Sequence, residues 1–224
     1  MPRQLSFDLP TRAAHGRGDF FVSEANAQAL AMIENWAQWP QRKLVLAGPP
    51  GSGKTHLAHV WATLSGARII AAHRLTGADI PGLASGPLAL EDCAALAGDP
   101  AGEEALFHLH NLALAEGHPL LLTAREPPNR WPLTLPDLAS RMQATAVARI
   151  AAPDDALLAA VLRKLFADRQ LAPGPGTVPY LARRIERSFA AARDVVARLD
   201  AAALERRRPI TRALAREVLD KSES

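Results

Sequence analysis

A single cysteine, Cys93, stands among 224 residues. One thiol cannot close a bridge within the chain, so a disulfide-stapled secreted scaffold is excluded and a reducing, cytoplasmic setting is expected. Long apolar runs are missing as well. Nothing approaches the ~20 residues of a membrane-spanning helix, so no membrane partner is expected. The opening M-P-R-Q-L-S-F-D-L-P lacks the continuous apolar core of a signal peptide. Charge of one sign is scarce: a formal net charge of +3 is too small to argue for nucleic acid by itself. Metal-ligand clusters are lacking too. His56 and His59 lie one helical turn apart, His108 and His110 face different ways, and no third ligand follows at suitable spacing. There is no internal repeat, and no low-complexity tract beyond alanine-rich helix.

What is present is the composition of a folding chain. Hydrophobic residues make up 48% and charged residues 22%. That is enough to bury a core, and the length suits one large domain or one domain with a smaller appendage. The charge is unevenly spread. Residues 1–150 hold 12 Lys/Arg against 13 Asp/Glu, whereas residues 151–224 hold 14 against 10. The excess includes Arg183, Arg184, Arg187 and Arg206 to Arg208. Such residues usually form the solvated faces of helices, which leaves direct DNA contact a secondary expectation.

The chain is organised around one stretch, K-L-V-L-A-G-P-P-G-S-G-K-T-H-L, at residues 43–57. Gly48, Pro49, Pro50, Gly51, Ser52, Gly53, Lys54 and Thr55 fill every fixed position of the phosphate-loop pattern G-x-x-x-x-G-K-[ST]. An apolar run at 44–47 precedes it as a buried strand, and 56–65 continues with helical spacing. Gly51 and Gly53 can take backbone angles that side chains forbid, so successive N–H groups can turn around a phosphate. The following helix adds its positive end. Lys54 would reach the β- and γ-phosphates, and the Thr55 hydroxyl would sit on Mg²⁺.

Residues 1–19 are polar with scattered Pro, Gly and Arg, and read as an extended arm. Within it Gln4-Leu5-Ser6-Phe7-Asp8-Leu9 alternates polar and apolar residues. A helix starts near Ser23 and Glu24 and runs to about Trp39, where Pro40 ends it. Strands predicted at 44–47, 67–72, 88–92, 119–123 and 145–150 alternate with helices over 56–65, 103–116 and 137–142. This alternation argues for an α/β fold with a five-stranded parallel sheet covered on both faces. From Pro153 the character changes to helices over 153–168, 178–186, 189–205 and 211–219. The expected organisation is therefore an arm (1–19), an α/β domain (20–151) and a small helical domain (152–224).

A phosphate loop fits many reactions, so other residues must choose among them. Glu91 and Asp92 close a short apolar strand, where a nucleotidase places acids to hold Mg²⁺ and to polarise water. Thr123 closes the fourth strand; its hydroxyl can meet a γ-phosphate or attacking water, or be satisfied by backbone. Arg141 precedes the fifth strand and could project a forked cation towards a neighbour's phosphate. From the residues alone it is one more surface arginine. Cys93 reads as a small buried side chain.

Together F-F-V-S-E-A-N (20–26), the phosphate loop, L-A-G-D (96–99), L-L-L-T-A-R-E-P-P (120–128) and L-P-D-L-A-S-R (135–141) resemble the AAA+ family. Within it, the chain is similar to the DnaA-related regulatory inactivators, the Hda or HdaA group. The resemblance implies that Phe21 and Val22 lie near the adenine, with His56 also at the nucleotide. It puts Glu91 and Asp92 in the Walker B place, with Glu91 and Thr55 on Mg²⁺. Thr123 and Arg125 fall in the sensor 1 region, and Arg141 becomes an arginine finger acting in trans. The helical C-terminal part becomes the lid, and no helix-turn-helix domain is expected beyond it. Gln4, Leu5, Phe7 and Leu9 resemble the peptide by which such proteins dock on the replicative sliding clamp, an extended segment on a preformed groove.

Three departures matter. Glu91 replaces the usual Walker B aspartate, Arg125 reverses the charge of an acidic sensor 1 residue, and Ala190 stands at the sensor 2 arginine, with Arg187 and Arg193 one turn away. They point to nucleotide binding, as ADP or ATP with Mg²⁺, with weak or no intrinsic hydrolysis. The resemblance implies a negative regulator of replication initiation that stimulates ATP hydrolysis by DnaA while docked on the clamp, meeting DNA indirectly through it. Self-association is left open. The alternatives are a free-standing P-loop ATPase or kinase, and a DnaA-like DNA-associated adaptor without catalysis.

Overall fold

The computed structural model of the chain describes residues 22–220. Five strands, β1 (Lys43–Ala47), β2 (Arg68–Ala71), β3 (Leu88–Glu91), β4 (Leu120–Ala124) and β5 (Val147–Arg149), form one parallel sheet in the order β2-β3-β4-β1-β5. The fold is α/β, as the alternating pattern requires. Its helices are α1 (Ala27–Glu34), α2 (Lys54–Ser65), α3 (Ile80–Ala84), α4 (Pro100–Ala115), α5 (Pro136–Gln143), α6 (Asp155–Asp168), α7 (Thr177–Ala182), α8 (Phe189–Arg206) and α9 (Arg212–Asp220).

The central strands β1 and β4 are buried along their whole length, which is why 44–47 and 120–122 read as apolar runs. Side chains alternate between the two faces. One face carries Val45, Leu88, Leu90, Leu120 and Leu122 against Leu106 and Leu109 of α4 and Leu138 and Met142 of α5. The other carries Leu44, Leu46, Ala89 and Leu121 against Ile33 of α1 and Leu57 and Trp61 of α2. There Trp39 stacks on Trp61 with ring centroids 5.1 Å apart. A third cluster draws only on residues from 158 onward, including Leu162, Phe166, Leu181, Val195, Leu199 and Leu214.

Two local expectations change. The helix read from Ser23 to Trp39 is α1 alone, ending at Glu34, followed by tight turns at Trp36–Gln38 and Pro40–Arg42. Pro40 forces Trp39 into an extended conformation, and the Trp39 indole N–H reaches back 2.7 Å to the Met32 carbonyl. The short α3 carries too few residues to show a period, yet Asp79 caps it through the Gly82 N–H and Pro81 sits in its first turn.

Candidate nucleotide site and an outlying arginine

The loop between β1 and α2 leaves the centre of the sheet, where the strand ends converge. Gly51 and Gly53 have φ of +68° and +101°, angles that only glycine adopts without strain. Their N–H groups donate to no acceptor among the described residues. A Cβ on Gly48 would lie 2.6 Å from the Ile150 carbonyl oxygen, so this backbone has no room for a side chain. The Lys54 ammonium is buried and donates to the carbonyls of Gly48 (2.7 Å) and Pro49 (2.9 Å). Burial pulls its pKa down; Asp92 and, less strongly, Glu91 oppose this, while Arg125 adds to it.

Those couplings bring Glu91, Asp92 and Arg125 to the loop. Register explains it: Ala47 pairs with Ala124, and Leu90 with Leu122, so all three strands finish together. Asp92 sits just past β3 with φ of +58°, an uncommon angle for a side-chain-bearing residue. Its N–H donates to the Thr123 hydroxyl at 3.2 Å. Thr123 is buried and stitches the ends of β3 and β4 together. Behind them Cys93 is fully buried, its thiol donating to the Leu90 carbonyl, and burial pushes its pKa far up. It is an inert core side chain.

The helical part touches the loop directly. The Phe189 N–H, at the start of α8, donates to the Gly51 carbonyl at 2.9 Å. A Cβ on Gly51 would fall 2.6 Å from the Cβ of Ser188, which caps α8 through the Ala191 N–H. Ala190 is therefore beside the loop but offers it no cation. Arg187 is held by Asp155 of α6 at 2.9 Å, while Arg193 is exposed one turn along α8. The Ala151 N–H, just after β5, donates to the Ala25 carbonyl at 2.9 Å, and Val22 is exposed.

Arg141 is elsewhere. It is exposed near the C-terminal end of α5, its guanidinium 5.2 Å from the Phe107 ring centroid, and it makes no ion pair among the described residues. Its carbonyl accepts from the Lys43 ammonium at 3.1 Å. Lys43 opens β1, so Arg141 lies at the edge of the sheet opposite the phosphate loop. Both ends of α5 are tied to buried charge. At the N-terminal end Glu103, 1% exposed, accepts from the N–H groups of Gly98, Thr134 and Leu135 and from the Thr134 hydroxyl. Burial would raise its pKa, but these donors hold it below the usual carboxylate range.

At the other end Lys43 also approaches His110 Nε2 at 3.1 Å. An ammonium has only donors, so Nε2 must be the acceptor. The proton then sits on Nδ1, 3.2 Å from the Asn111 side-chain oxygen. Burial, with the cations Lys43 and Arg141, lowers the His110 pKa to about 4, although the Asn111 bond opposes this. Sequence reading missed Glu103, Lys43 and His110 as supports of α5. Gln4, Leu5, Phe7, Leu9 and Phe21 lie outside the described residues.

The residues fit a nucleotide phosphate. Ser52 Oγ is buried without a hydrogen-bond partner inside a loop that already holds a displaceable ammonium. Mg²⁺ suits the oxygen donors beside it, Thr55 and Asp92, both exposed, and the half-buried Glu91. No group of three or more His, Cys, Asp or Glu side chains is arranged to hold a metal among the described residues, and Mg²⁺ commonly relies on one or two carboxylates plus phosphates and water.

No protein-family model matches the sequence. Solved structures do. Domain III of the replication initiation protein DnaA from Thermotoga maritima superposes with a TM-score of 0.81 at 18% identity, covering 95% of this chain and 98% of that one. AMPPCP-bound DnaA from Aquifex aeolicus gives 0.69 at 16% identity, over 81% of this chain and 63% of that one. A variant of Thermotoga maritima RuvB gives 0.70 at 17% identity, over 90% and 70%. At these identities the likeness is one of fold: a five-stranded parallel α/β core followed by a helical region.

Proposed function

We propose that this protein is an adenine-nucleotide-binding regulator that docks on the sliding clamp and stimulates ATP hydrolysis by DnaA, supplying Arg141 in trans. The arm (1–19) would engage the clamp through Gln4, Leu5, Phe7 and Leu9. The α/β domain (20–151) would hold nucleotide, and the lid (152–224) would close over it. The observation that carries this reading is the placement of Arg141. An exposed guanidinium with no ion pair among the described residues, on a helix secured at both ends and across the sheet from its own phosphate loop, supports contact with another molecule's phosphate.

The residues divide the work. Lys54, the loop N–H groups and Thr55 would hold the nucleotide phosphates, and Glu91 and Asp92 would face its Mg²⁺, which would supply positive charge opposite the phosphate oxygens. His56, Pro49, Pro50 and Val22 line its approach. Asp92 is the residue suited to orient water, but Thr123 is committed to the Asp92 backbone, and neither Ala190 nor Arg125 supplies the family's usual group. Weak self-hydrolysis follows. Arg141 stabilises charge developing on the partner's transferring phosphoryl group, as a rigid fork that needs no deprotonation. The DnaA neighbours, one of them bound to AMPPCP, support adenine nucleotide as the ligand and DnaA as a partner of matching architecture.

The deciding measurement is ATP turnover by DnaA with and without this protein and DNA-loaded clamp. Acceleration that needs all three components is expected. Unchanged turnover overturns the reading. Removal of residues 1–9 should abolish retention on loaded clamp, and full retention would rule out the arm.

A further inference from the structure

We propose that the depression around Tyr180 in the helical domain is a binding surface for the phosphodiester backbone of a nucleic acid. Tyr180 lies on α7. Arg184 follows it by four residues, and Arg212 opens α9. Their guanidinium carbons sit 5.2 Å and 5.0 Å from the same Tyr180 ring centroid. Stacking of this kind fixes a planar fork in advance, so less freedom is lost when it meets a phosphate.

The acids nearby do not neutralise this pair. Asp220 is engaged by Arg216 at 3.6 Å, and Glu217 by Arg206. Arg184 and Arg212 make no ion pair among the described residues, and both are exposed. Arg212 is not there for its own helix either, because a cation in the first turn is opposed by the helix dipole. The depression measures about 820 Å³ and is lined by Tyr180, Arg184, Arg212, Arg216, Glu217 and Asp220. It is open, which suits a chain passing across it better than an enclosed small molecule. It also belongs to residues 151–224, where basic residues outnumber acids by 14 to 10. Two forks held on one ring, without ion pairs among the described residues, match the repeated phosphates of a nucleic-acid backbone, each of which can take a fork through two oxygens. An acidic polypeptide would offer carboxylates on flexible side chains in place of that regular anionic backbone.

The surface is tested without DnaA or hydrolysis, and so stands or falls apart from the proposed function. The full chain is titrated against a labelled 20-nucleotide single strand, and against its duplex, by fluorescence anisotropy at several salt concentrations. Replacing Arg184 and Arg212 together by Ala is expected to weaken binding about tenfold and to lower the salt slope by about two. A control with Arg130→Ala and Arg163→Ala removes equal charge elsewhere and should stay within about twofold of the parent. Tyr180→Ser should weaken binding while Tyr180→Phe retains it, and thermal unfolding confirms that each variant is folded. Absent binding by the parent, or equal effects in the two double variants, overturns the proposal. Displacement of the oligonucleotide by polyglutamate at matched charge would reassign the surface to an acidic protein and also overturn it.

Discussion

The strand β1 is bracketed by two lysines, and they are held in different company. Lys54, beyond its C-terminal end, rests on two loop carbonyls with Asp92 and Glu91 in range. Lys43, at its first residue, rests on a helix carbonyl and a histidine ring, with Arg141 as its charged neighbour. Burial lowers the pKa of both. In the proposed function the loop that carries these carbonyls receives phosphate, and the Lys54 ammonium exchanges one set of oxygens for another. Lys43 has no such exchange to make; its bonds fix α5 against the sheet. In the proposed function one end of the strand binds nucleotide and the other presents Arg141.

The comparison can be broken most severely at Arg141. Arg141→Ala should cut the stimulated turnover of DnaA by about a thousandfold, the scale of an arginine finger, while nucleotide affinity measured by fluorescence stays unchanged. A parallel loss of nucleotide affinity would merge the two edges into one site. Next in size is Glu103→Ala, which strands several buried N–H donors. It should cost about 3 kcal/mol in urea unfolding. Because the Glu103 pKa is depressed in the folded state, its contribution is present above the ordinary carboxylate pKa and is lost as pH falls through the folded value; the variant should lack that acid-dependent loss.

The lysines themselves sharpen the contrast. Lys54→Met should lower nucleotide affinity by more than tenfold, equivalent to about 2 kcal/mol, with little change in stability. Lys43→Met should do the reverse, costing about 2 kcal/mol of stability and leaving nucleotide affinity intact. Isothermal titration and chemical unfolding separate these outcomes. The smallest effect belongs to His110. Its folded pKa of about 4 lies below the ordinary 6.5, so between those values the unfolded chain takes up a proton that the folded chain refuses. Stability should fall as pH drops through that window, by about 1 kcal/mol between pH 7.5 and 5.5, and His110→Gln should remove the slope.

Much of this architecture was legible because it is written locally. A glycine-rich loop between an apolar strand and a helix needs only its immediate neighbours to be recognised. The supports of α5 were not legible, because their partners lie far along the chain. Glu103 finds Thr134 across 31 residues, and Lys43 finds His110 across 67. In sequence one is an acid in a helix and the other a lysine before a strand. The lid contact is hidden for a further reason: it joins the Phe189 N–H to the Gly51 carbonyl, and main-chain groups carry no residue signature. Asp92 was singled out for its carboxylate, whereas its left-handed backbone emerges only from the fold.

That same main-chain contact gives the molecule a built-in gauge. Since the Phe189 amide bridges the helical part and the loop, its hydrogen-exchange rate reports how often the two separate. Apart from Phe189→Pro, which removes the N–H, substitutions leave the donor in place, so the gauge survives changes made elsewhere around the loop. Protection at the Phe189 amide, followed as nucleotide is added, reads the contact between helical part and loop through a single proton.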